Sequence, residues 1–116
     1  MHEASIMQCV FDLAFAQLPD DAATRIDRLR LRVGALAGVV PEALVFAFDA
    51  MKPETPAARA ELEIERVPAR LACPDCRFDF QPDCYPAACP GCGSWATDVR
   101  QGQELDLVLV EFFREE

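Results

Sequence analysis

Basic charge and long apolar runs are both scarce in this sequence. Eleven Lys and Arg residues stand against 20 Asp and Glu residues, giving a formal net charge of −9, whereas nucleic-acid binding needs a basic face. No apolar run approaches the roughly 18 residues that a bilayer crossing needs, and the start of the chain lacks the basic region of a secretory signal. These absences predict a cytoplasmic protein with no nucleic-acid and no membrane partner.

Histidine occurs once, at His2. We find no pairing of a nucleophile with a base, so the sequence gives no indication of an enzyme. A glycine-rich loop of the phosphate-binding type is also missing.

Apolar residues make up 52% of the 116 residues, which suits one domain, or one small domain with a stapled module. Helical periodicity predicts a first helix over 5–18, with Ser5 and Gln8 placed like a capping box. Pro41 favours the start of a second helix, which ends near Pro53. The apolar face of that helix comprises Leu44, Ala47, Phe48 and Met51.

Two segments alternate strictly, as half-buried strands do. Arg28–Val33 places arginines outward, and Ala60–Glu65 places glutamates outward. Because opposite charges stabilise neighbouring strands, we expect the two to lie side by side, joined through the second helix by a parallel crossover. The apolar run Glu104–Phe113 is predicted to join the same sheet.

Between these strands, residues 67–101 are rich in Cys, Pro, Asp and Gly and show no sustained period. A segment this short cannot bury a core unaided. The predicted fold is therefore α+β: a small mixed three-stranded sheet with two helices, formed by residues 1–66 and 102–116, with an inserted zinc-ribbon-like module at 67–101.

Two cysteine knuckles lie in this insertion. "CPDC" contains Cys73 and Cys76, and "CPGC" contains Cys89 and Cys92. Two residues between thiolates let a turn aim both sulfurs at one ion, about 2.3 Å away for zinc. A closed site of four sulfurs favours structural Zn(II). A rubredoxin-like iron centre for electron transfer uses similar knuckles and stays open as an alternative.

The remaining cysteines carry weaker signals. Cys84 has no second cysteine two residues away and is interpreted as a surface or packing residue, with a replacement-ligand role as the alternative. Cys9 lies on the first helix and is interpreted as a small buried apolar residue without chemistry.

The first residues can chelate a metal by themselves. The α-amine of Met1, the backbone nitrogen of His2 and its imidazole form fused chelate rings, and Glu3 can supply a fourth donor. Ni(II) and Cu(II) prefer such nitrogen-rich sets. Ser5, as a cap, would fix the direction of the terminus. The alternative is a frayed terminus without function.

Several segments together resemble the HypA/HybF hydrogenase maturation factors. They are "MHE" at the start, "RLRVGALAGVVPEALVFAF" in the middle, the two cysteine knuckles and "GQEL" after them, in the family's order and spacing. The resemblance implies a nickel site at Met1, His2 and Glu3, a structural zinc at the four knuckle cysteines, and an α+β nickel domain carrying a zinc module.

The resemblance also implies a function. A family member holds Ni(II) as transient cargo and passes it, with a maturation GTPase, to the precursor of the [NiFe]-hydrogenase large subunit, and in some organisms it also serves urease. The sequence leaves the oligomeric state open, a weak homo-oligomer included. One departure is Glu54, where many family members have glycine beside the threonine that aligns with Thr55; it puts the conformation of that loop in question. Cys84 is not part of the family pattern either.

Other interpretations of the chain stay open beside the nickel chaperone. A zinc-ribbon adaptor would leave the N-terminal triplet inert. The outward residues Val108, Val110 and Phe112 of the last strand suggest a docking surface, unless the chain's own C-terminal residues cover them.

Overall fold

The structure, a computed structural model, describes residues 2–115. Its helices are α1 (Glu3–Phe15) and α2 (Pro41–Met51). Its strands are β1 (Thr24–Gly34), β2 (Glu61–Val67), β3 (Arg70–Ala72), β4 (Asp79–Phe80), β5 (Asp98–Gln101) and β6 (Leu105–Arg114). The described residues form two compact units. We call 2–32, 39–65 and 106–115 the helix–sheet unit, and 33–38 and 66–105 the cysteine unit.

The helix–sheet unit has an ordinary hydrophobic core. Each helix turns one apolar stripe inward, as the 3.6-residue period requires, and the rings of Phe11 on α1 and Phe48 on α2 lie 5.7 Å apart. The predicted face of α2 is confirmed, because Leu44, Ala47 and Phe48 are buried and Met51 is half-buried. From α1 the buried residues are Ile6, Met7, Val10, Phe11 and Ala14.

The start of α1 corrects the predicted capping box. The helix begins at Glu3 rather than Ser5, and His2 is the N-cap residue, without a side-chain cap. The N–H of Ser5 donates to the carbonyl of His2 at 3.0 Å, so Ser5 already lies inside the first turn. Gln8 instead donates through its side chain to Asp12. Ser5 therefore does not fix the direction of the terminus.

The three-stranded sheet has the order β2-β1-β6. The predicted pairing of the arginine and glutamate strands is confirmed: Arg28 contacts Glu63 at 3.1 Å, and Arg32 contacts Glu65 at 2.9 Å. These pairs ascend together along both strands, as in a parallel pair. The hydrogen bond from the Arg28 side chain, followed by that from Arg30, lowers the pKa of Glu63.

The last strand joins the same sheet, as predicted, and makes it mixed. At one end of the β1–β6 pair the N–H of Gly34 donates to the carbonyl of Glu104, and at the other the N–H of Glu115 donates to Ala23. Residue numbers rise on one strand as they fall on the other, which is antiparallel pairing. The cysteine-rich segment is thus inserted before β6. On β6, Val108 and Phe112 are exposed.

The loop at Glu54 keeps a glycine-like conformation without glycine. Glu54 has φ 63°, in the left-handed region that disfavours residues with a Cβ. The next residue braces the turn, because the hydroxyl of Thr55 donates to the carbonyl of Lys52 at 2.6 Å. The substitution noted in the sequence is therefore accommodated with local backbone strain.

The cysteine unit contains a second sheet, of order β4-β3-β5, that the sequence did not indicate. Both pairs are antiparallel, with Leu71 opposite Phe80 and opposite Val99. The segment 33–38 belongs to this unit through backbone hydrogen bonds, since the N–H of Ala35 donates to Val67.

The 33–38 segment approaches the returning chain closely. The N–H of Leu36 donates to the carbonyl of Gly102 at 2.6 Å. A Cβ on Gly34 would lie 2.0 Å from that same carbonyl oxygen, so only glycine fits there.

Neither helix within residues 2–115 combines the length and the apolar character that a membrane span requires.

Candidate metal centre

The four knuckle cysteines converge on one point. Their Sγ atoms all lie within 4.8 Å of one another, with Cys73 and Cys92 at 3.5 Å and Cys76 and Cys89 at 3.4 Å. A tetrahedral ion with bonds of about 2.3 Å would separate its sulfurs by roughly 3.8 Å. The predicted quartet is thus brought together in a geometry that suits structural zinc, and all four thiols are free of disulfides.

The two knuckles have nearly the same backbone conformation. In the first, the N–H of Cys73 donates to Phe78 and the N–H of Arg77 donates to Cys73. In the second, the N–H of Cys89 donates to Ser94 and the N–H of Gly93 donates to Cys89. The number of residues between donor and acceptor is the same in both knuckles, so the two knuckles form the same type of turn.

Each knuckle also has one left-handed residue immediately after its second cysteine. It is Arg77, with φ 60°, in the first and Gly93, with φ 78°, in the second. Glycine adopts this conformation freely, whereas arginine does not. The first knuckle therefore contains backbone strain that the second lacks.

The environment of the sulfurs favours the thiolate form at Cys89 in particular. The Cys89 sulfur accepts a hydrogen bond from the N–H of Gly91 at 3.3 Å. Burial raises the pKa of Cys89, but the N–H groups of Cys92 and Gly91 and the neighbouring sulfurs lower it to about 7. Contact with the Cys89 sulfur raises the pKa of Cys76 to about 12. The thiols share protons that a bound cation would displace.

Exposure divides the quartet into two pairs. Cys73 and Cys89 are buried, while Cys76 and Cys92 are exposed. Because four sulfurs complete the tetrahedron, the chain itself leaves no open coordination position for a substrate. The arrangement is therefore suited to holding an ion and keeping the unit folded rather than to catalysis.

The other two cysteines lie outside this cluster. Cys84 is exposed and lines a cavity of ≈ 550 Å³ together with Pro68 and Tyr85. Cys9 is exposed on α1, so the interpretation of Cys9 as a buried packing residue was wrong.

The predicted nickel residues are described only in part, since Met1 lies outside the described residues. His2 is exposed and Glu3 is half-buried in the first turn of α1. Within residues 2–115 the imidazole of His2 has no hydrogen-bond partner, and the cysteine quartet is the one group of three or more close metal-ligating side chains. The structure thus leaves His2 accessible without assembling a finished site around it.

Sequence reasoning missed the groups that shape the knuckles. The carbonyls of Phe78 and Ser94 close the two turns, and they follow the second cysteine of each knuckle at the same distance. The repeated pattern of "CPDCR" and "CPGCG" was the available signal, because matching spacing around both pairs indicates matching turns.

Comparison with known proteins agrees with the geometry. Residues 1–112 match the family model described as "Hydrogenase/urease nickel incorporation, metallochaperone, hypA". Hydrogenase maturation factor HypA of Picosynechococcus sp. is 40% identical over 111 residues, covering 96% of this chain and 98% of that protein. The Chlorobium luteolum protein of the same name is 39% identical over 105 residues, covering 90% of each chain.

Two solved structures share the fold. The solution structure of the Ni metallochaperone HypA from Helicobacter pylori is 26% identical, with a TM-score of 0.65, and the match covers 99% of this chain and 100% of that one. A second solution structure, of HypA protein, gives a TM-score of 0.70 at 26% identity and covers 99% and 98%. With four sulfurs gathered as in a structural zinc site and the match spanning nearly the whole chain, this protein belongs to the HypA family of hydrogenase and urease nickel-incorporation metallochaperones.

Proposed function

We propose that this chain binds Ni(II) at its N-terminus, through the α-amine of Met1, the backbone nitrogen and imidazole of His2, and Glu3. The proposal rests on the exposure of the His2 side chain at the N-cap of α1 and on its lack of a hydrogen-bond partner within residues 2–115. An imidazole in this position can turn toward a metal without breaking an existing contact.

The start of α1 supports chelation by backbone atoms. The carbonyl of His2 accepts hydrogen bonds from Ser5 and Ile6, which fixes that peptide group at the helix end. The first N–H groups of a helix have no intrahelical acceptor, so the nitrogens of His2 and Glu3 are not committed to the helix. The positive end of the helix dipole opposes a cation by roughly 0.3–1 kcal/mol, and the Glu3 carboxylate offsets part of this.

The cysteine quartet has a different role in this proposal. Cys73, Cys76, Cys89 and Cys92 bind Zn(II) and keep the cysteine unit folded. A closed thiolate site exchanges its ion slowly, whereas a site built on a chain terminus opens by a few backbone rotations. One ion is retained and the other is transferred.

The recipient of the nickel is the precursor of the [NiFe]-hydrogenase large subunit, and a GTPase partner assists the transfer. Family membership supports this direction of transfer, since the matching family model concerns nickel incorporation into hydrogenase and urease. The sequence contains no phosphate-binding glycine-rich loop, so we assign nucleotide hydrolysis to the partner. This chain acts as a carrier and not as an enzyme.

Nickel titration of untagged, zinc-loaded protein tests the proposal. The authentic chain is expected to bind one Ni(II), and His2→Ala or an N-terminal extension that blocks the amine should abolish that binding. Ser5→Ala is the matched control: Ser5 is exposed on the same helix and does not cap it, so its affinity should equal that of the parent chain. Zinc content should be unchanged in all four proteins.

The same titration should depend on pH. Protons and Ni(II) compete for the same nitrogen lone pairs of the α-amine and the imidazole, so the affinity should fall more than about tenfold from pH 8 to pH 6. Equal affinity at both pH values, or full binding by His2→Ala, would contradict the ligand set. A red, iron-containing preparation would instead favour the electron-transfer alternative.

A further inference from the structure

A cavity of ≈ 650 Å³ lies in the helix–sheet unit. Its walls come from the chain around the start of β1, from the loop that precedes β2 and from the end of β6. Ala22, Pro56 and Phe113 supply apolar surface, and the guanidinium groups of Arg25 and Arg59 line the same space. Concave sites of this size, apolar with a few converging polar groups, are the usual form of a binding pocket.

Hydrogen bonds of the backbone connect the three walls. The N–H of Ile26 donates to the carbonyl of Pro56 at 2.8 Å, and the N–H of Glu115 donates to the carbonyl of Ala23 at 2.8 Å. Arg25 is fixed as well, because its Nη1 donates to two backbone carbonyls of its own segment, at 2.6 and 3.2 Å. The cavity and one of its two cations are therefore preformed, which lowers the cost of binding.

The two guanidinium groups share one carboxylate of the chain itself. Glu115 approaches Nε of Arg25 at 3.4 Å through Oε2, and Nη2 of Arg59 at 3.5 Å through Oε1. Hydrogen bonds between ionised groups are normally about 2.7–2.9 Å long, so both contacts are loose. The side chain of Arg59 is 74% exposed, and it can turn toward another anion without leaving a packed position.

A second carboxylate in the same unit forms a closer bridge between two arginines. Glu63 contacts Arg28 at 3.1 Å and Arg30 at 3.0 Å, and it accepts a hydrogen bond from each. The longer contacts of Glu115 leave hydrogen-bonding capacity at the two cavity arginines. A carboxylate that is placed better than Glu115 can use that capacity.

The charges of the cavity favour a carboxylate over a phosphate. Arg25 and Arg59 bring two positive charges, and Glu54 brings one negative charge to the same lining as Glu115. With the Glu115 side chain displaced, the lining carries a net charge of 2 − 1 = +1. One carboxylate neutralises this charge, whereas a phosphate dianion exceeds it and meets Glu54. The ring of Phe113 favours an apolar group next to the carboxylate.

We propose that this cavity binds an acidic residue of a partner peptide, with an apolar residue beside it, and that its carboxylate replaces that of Glu115 between Arg25 and Arg59. Guanidinium groups suit a carboxylate because their N–H groups are arranged as a fork. The chain's own Glu115 is an intramolecular competitor at high effective concentration, so the peptide binds weakly and exchanges readily. None of the lining residues is a proposed nickel or zinc ligand.

An NMR titration of untagged, zinc-loaded, full-length protein with a blocked phenylalanine–glutamate dipeptide tests this site. The side-chain Nε–H signals of Arg25 and Arg59 should shift, and the dissociation constant should be at least about tenfold lower than for acetate or inorganic phosphate. Glu115→Gln removes the competitor and should lower the dissociation constant of the dipeptide by about tenfold. Arg59→Gln should raise it by about tenfold or more.

Matched variants distinguish a binding site from an ordinary ion pair. Glu63→Gln also removes a carboxylate that bridges two arginines, and it should leave the affinity for the dipeptide unchanged. The blocked phenylalanine–glutamine dipeptide, which lacks the carboxylate, should not bind. Backbone amide spectra confirm the fold of each variant. Unchanged or weaker binding by Glu115→Gln, an equal gain from Glu63→Gln, or acetate or phosphate binding as tightly as the dipeptide would overturn the proposal.

Discussion

The two units of this protein are stabilised by different means. The helix–sheet unit fully buries Phe11, Phe48, Met7, Ile26, Leu29, Leu31 and Leu44, whereas the large, fully buried side chains of the cysteine unit are Leu71, Cys73 and Cys89. The first unit has enough apolar burial to fold on hydrophobic grounds. In the second unit, two of the three large, fully buried side chains are cysteines of the quartet for which we propose zinc binding. We therefore expect stability to depend on bound metal in the cysteine unit and on apolar packing in the helix–sheet unit.

Metal removal should have the largest effect and should separate the two halves. Structural zinc contributes roughly 10–16 kcal/mol in small metal-stabilised domains, so a chelator, or Cys76→Ser, should unfold the cysteine unit and leave the α1–α2 core intact. Amide hydrogen exchange measured residue by residue would show this. Cys84→Ser, an exposed cysteine outside the cluster, is the control and should change nothing. Joint unfolding of both units would contradict the division.

A substitution in the hydrophobic core should destabilise the helix–sheet unit, by less than metal removal destabilises the cysteine unit. Phe48→Ala removes a ring that is 1% exposed and contacts both Phe11 and Lys52, so we expect a loss of about 3–5 kcal/mol. Denaturant unfolding of zinc-loaded protein measures it. Phe46→Ala on the same helix, where the ring is 76% exposed, should stay within about 0.5 kcal/mol. Similar losses for the two variants would show that α2 does not bury the face described here.

The smallest expected effect concerns backbone strain, which each unit contains at one position. Glu54→Gly in the helix–sheet unit and Arg77→Gly in the cysteine unit should each stabilise by about 1 kcal/mol, because glycine relieves a left-handed residue. Gly93→Ala should destabilise the second knuckle by a similar amount. Unfolding of the helix–sheet unit should report Glu54→Gly, and zinc-release midpoints should report the two knuckle variants. Destabilisation by Arg77→Gly would show that its side chain has a role that outweighs the strain.

Much of the helix–sheet unit could be predicted because alternation and helical periodicity in its sequence indicate which side chains are buried. The alternation in Arg28–Val33 matches the burial of the inward residues Leu29 and Leu31, which are 0% and 1% exposed, and the charge pattern identified β2 as the neighbour of β1. The capping box was wrong because a four-residue pattern is short. The N–H groups of Ser5 and Ile6 both donate to the carbonyl of His2, so the first turn is already formed before Ser5.

The cysteine unit was predictable only at its metal site. The spacing of the four cysteines is a local signal, and the structure gathers their sulfurs as expected. Strands of two to four residues are too short to show a period, and pairing such as Leu71 with Val99 depends on distant residues. The burial of Cys73 and Cys89 beside the exposure of Cys76 and Cys92 likewise follows from packing rather than from spacing.

The participation of 33–38 in the cysteine unit limits how this protein can be cut or recombined. A peptide excised as residues 66–105 would lack the Ala35 and Leu36 amides that donate to Val67 and Gly102, leaving both carbonyls without those donors. Grafting the unit onto another scaffold would require two transplanted segments and a preserved Gly34. Exchange of the cysteine unit between homologues should therefore succeed only when residues 33–38 and 66–105 are exchanged together.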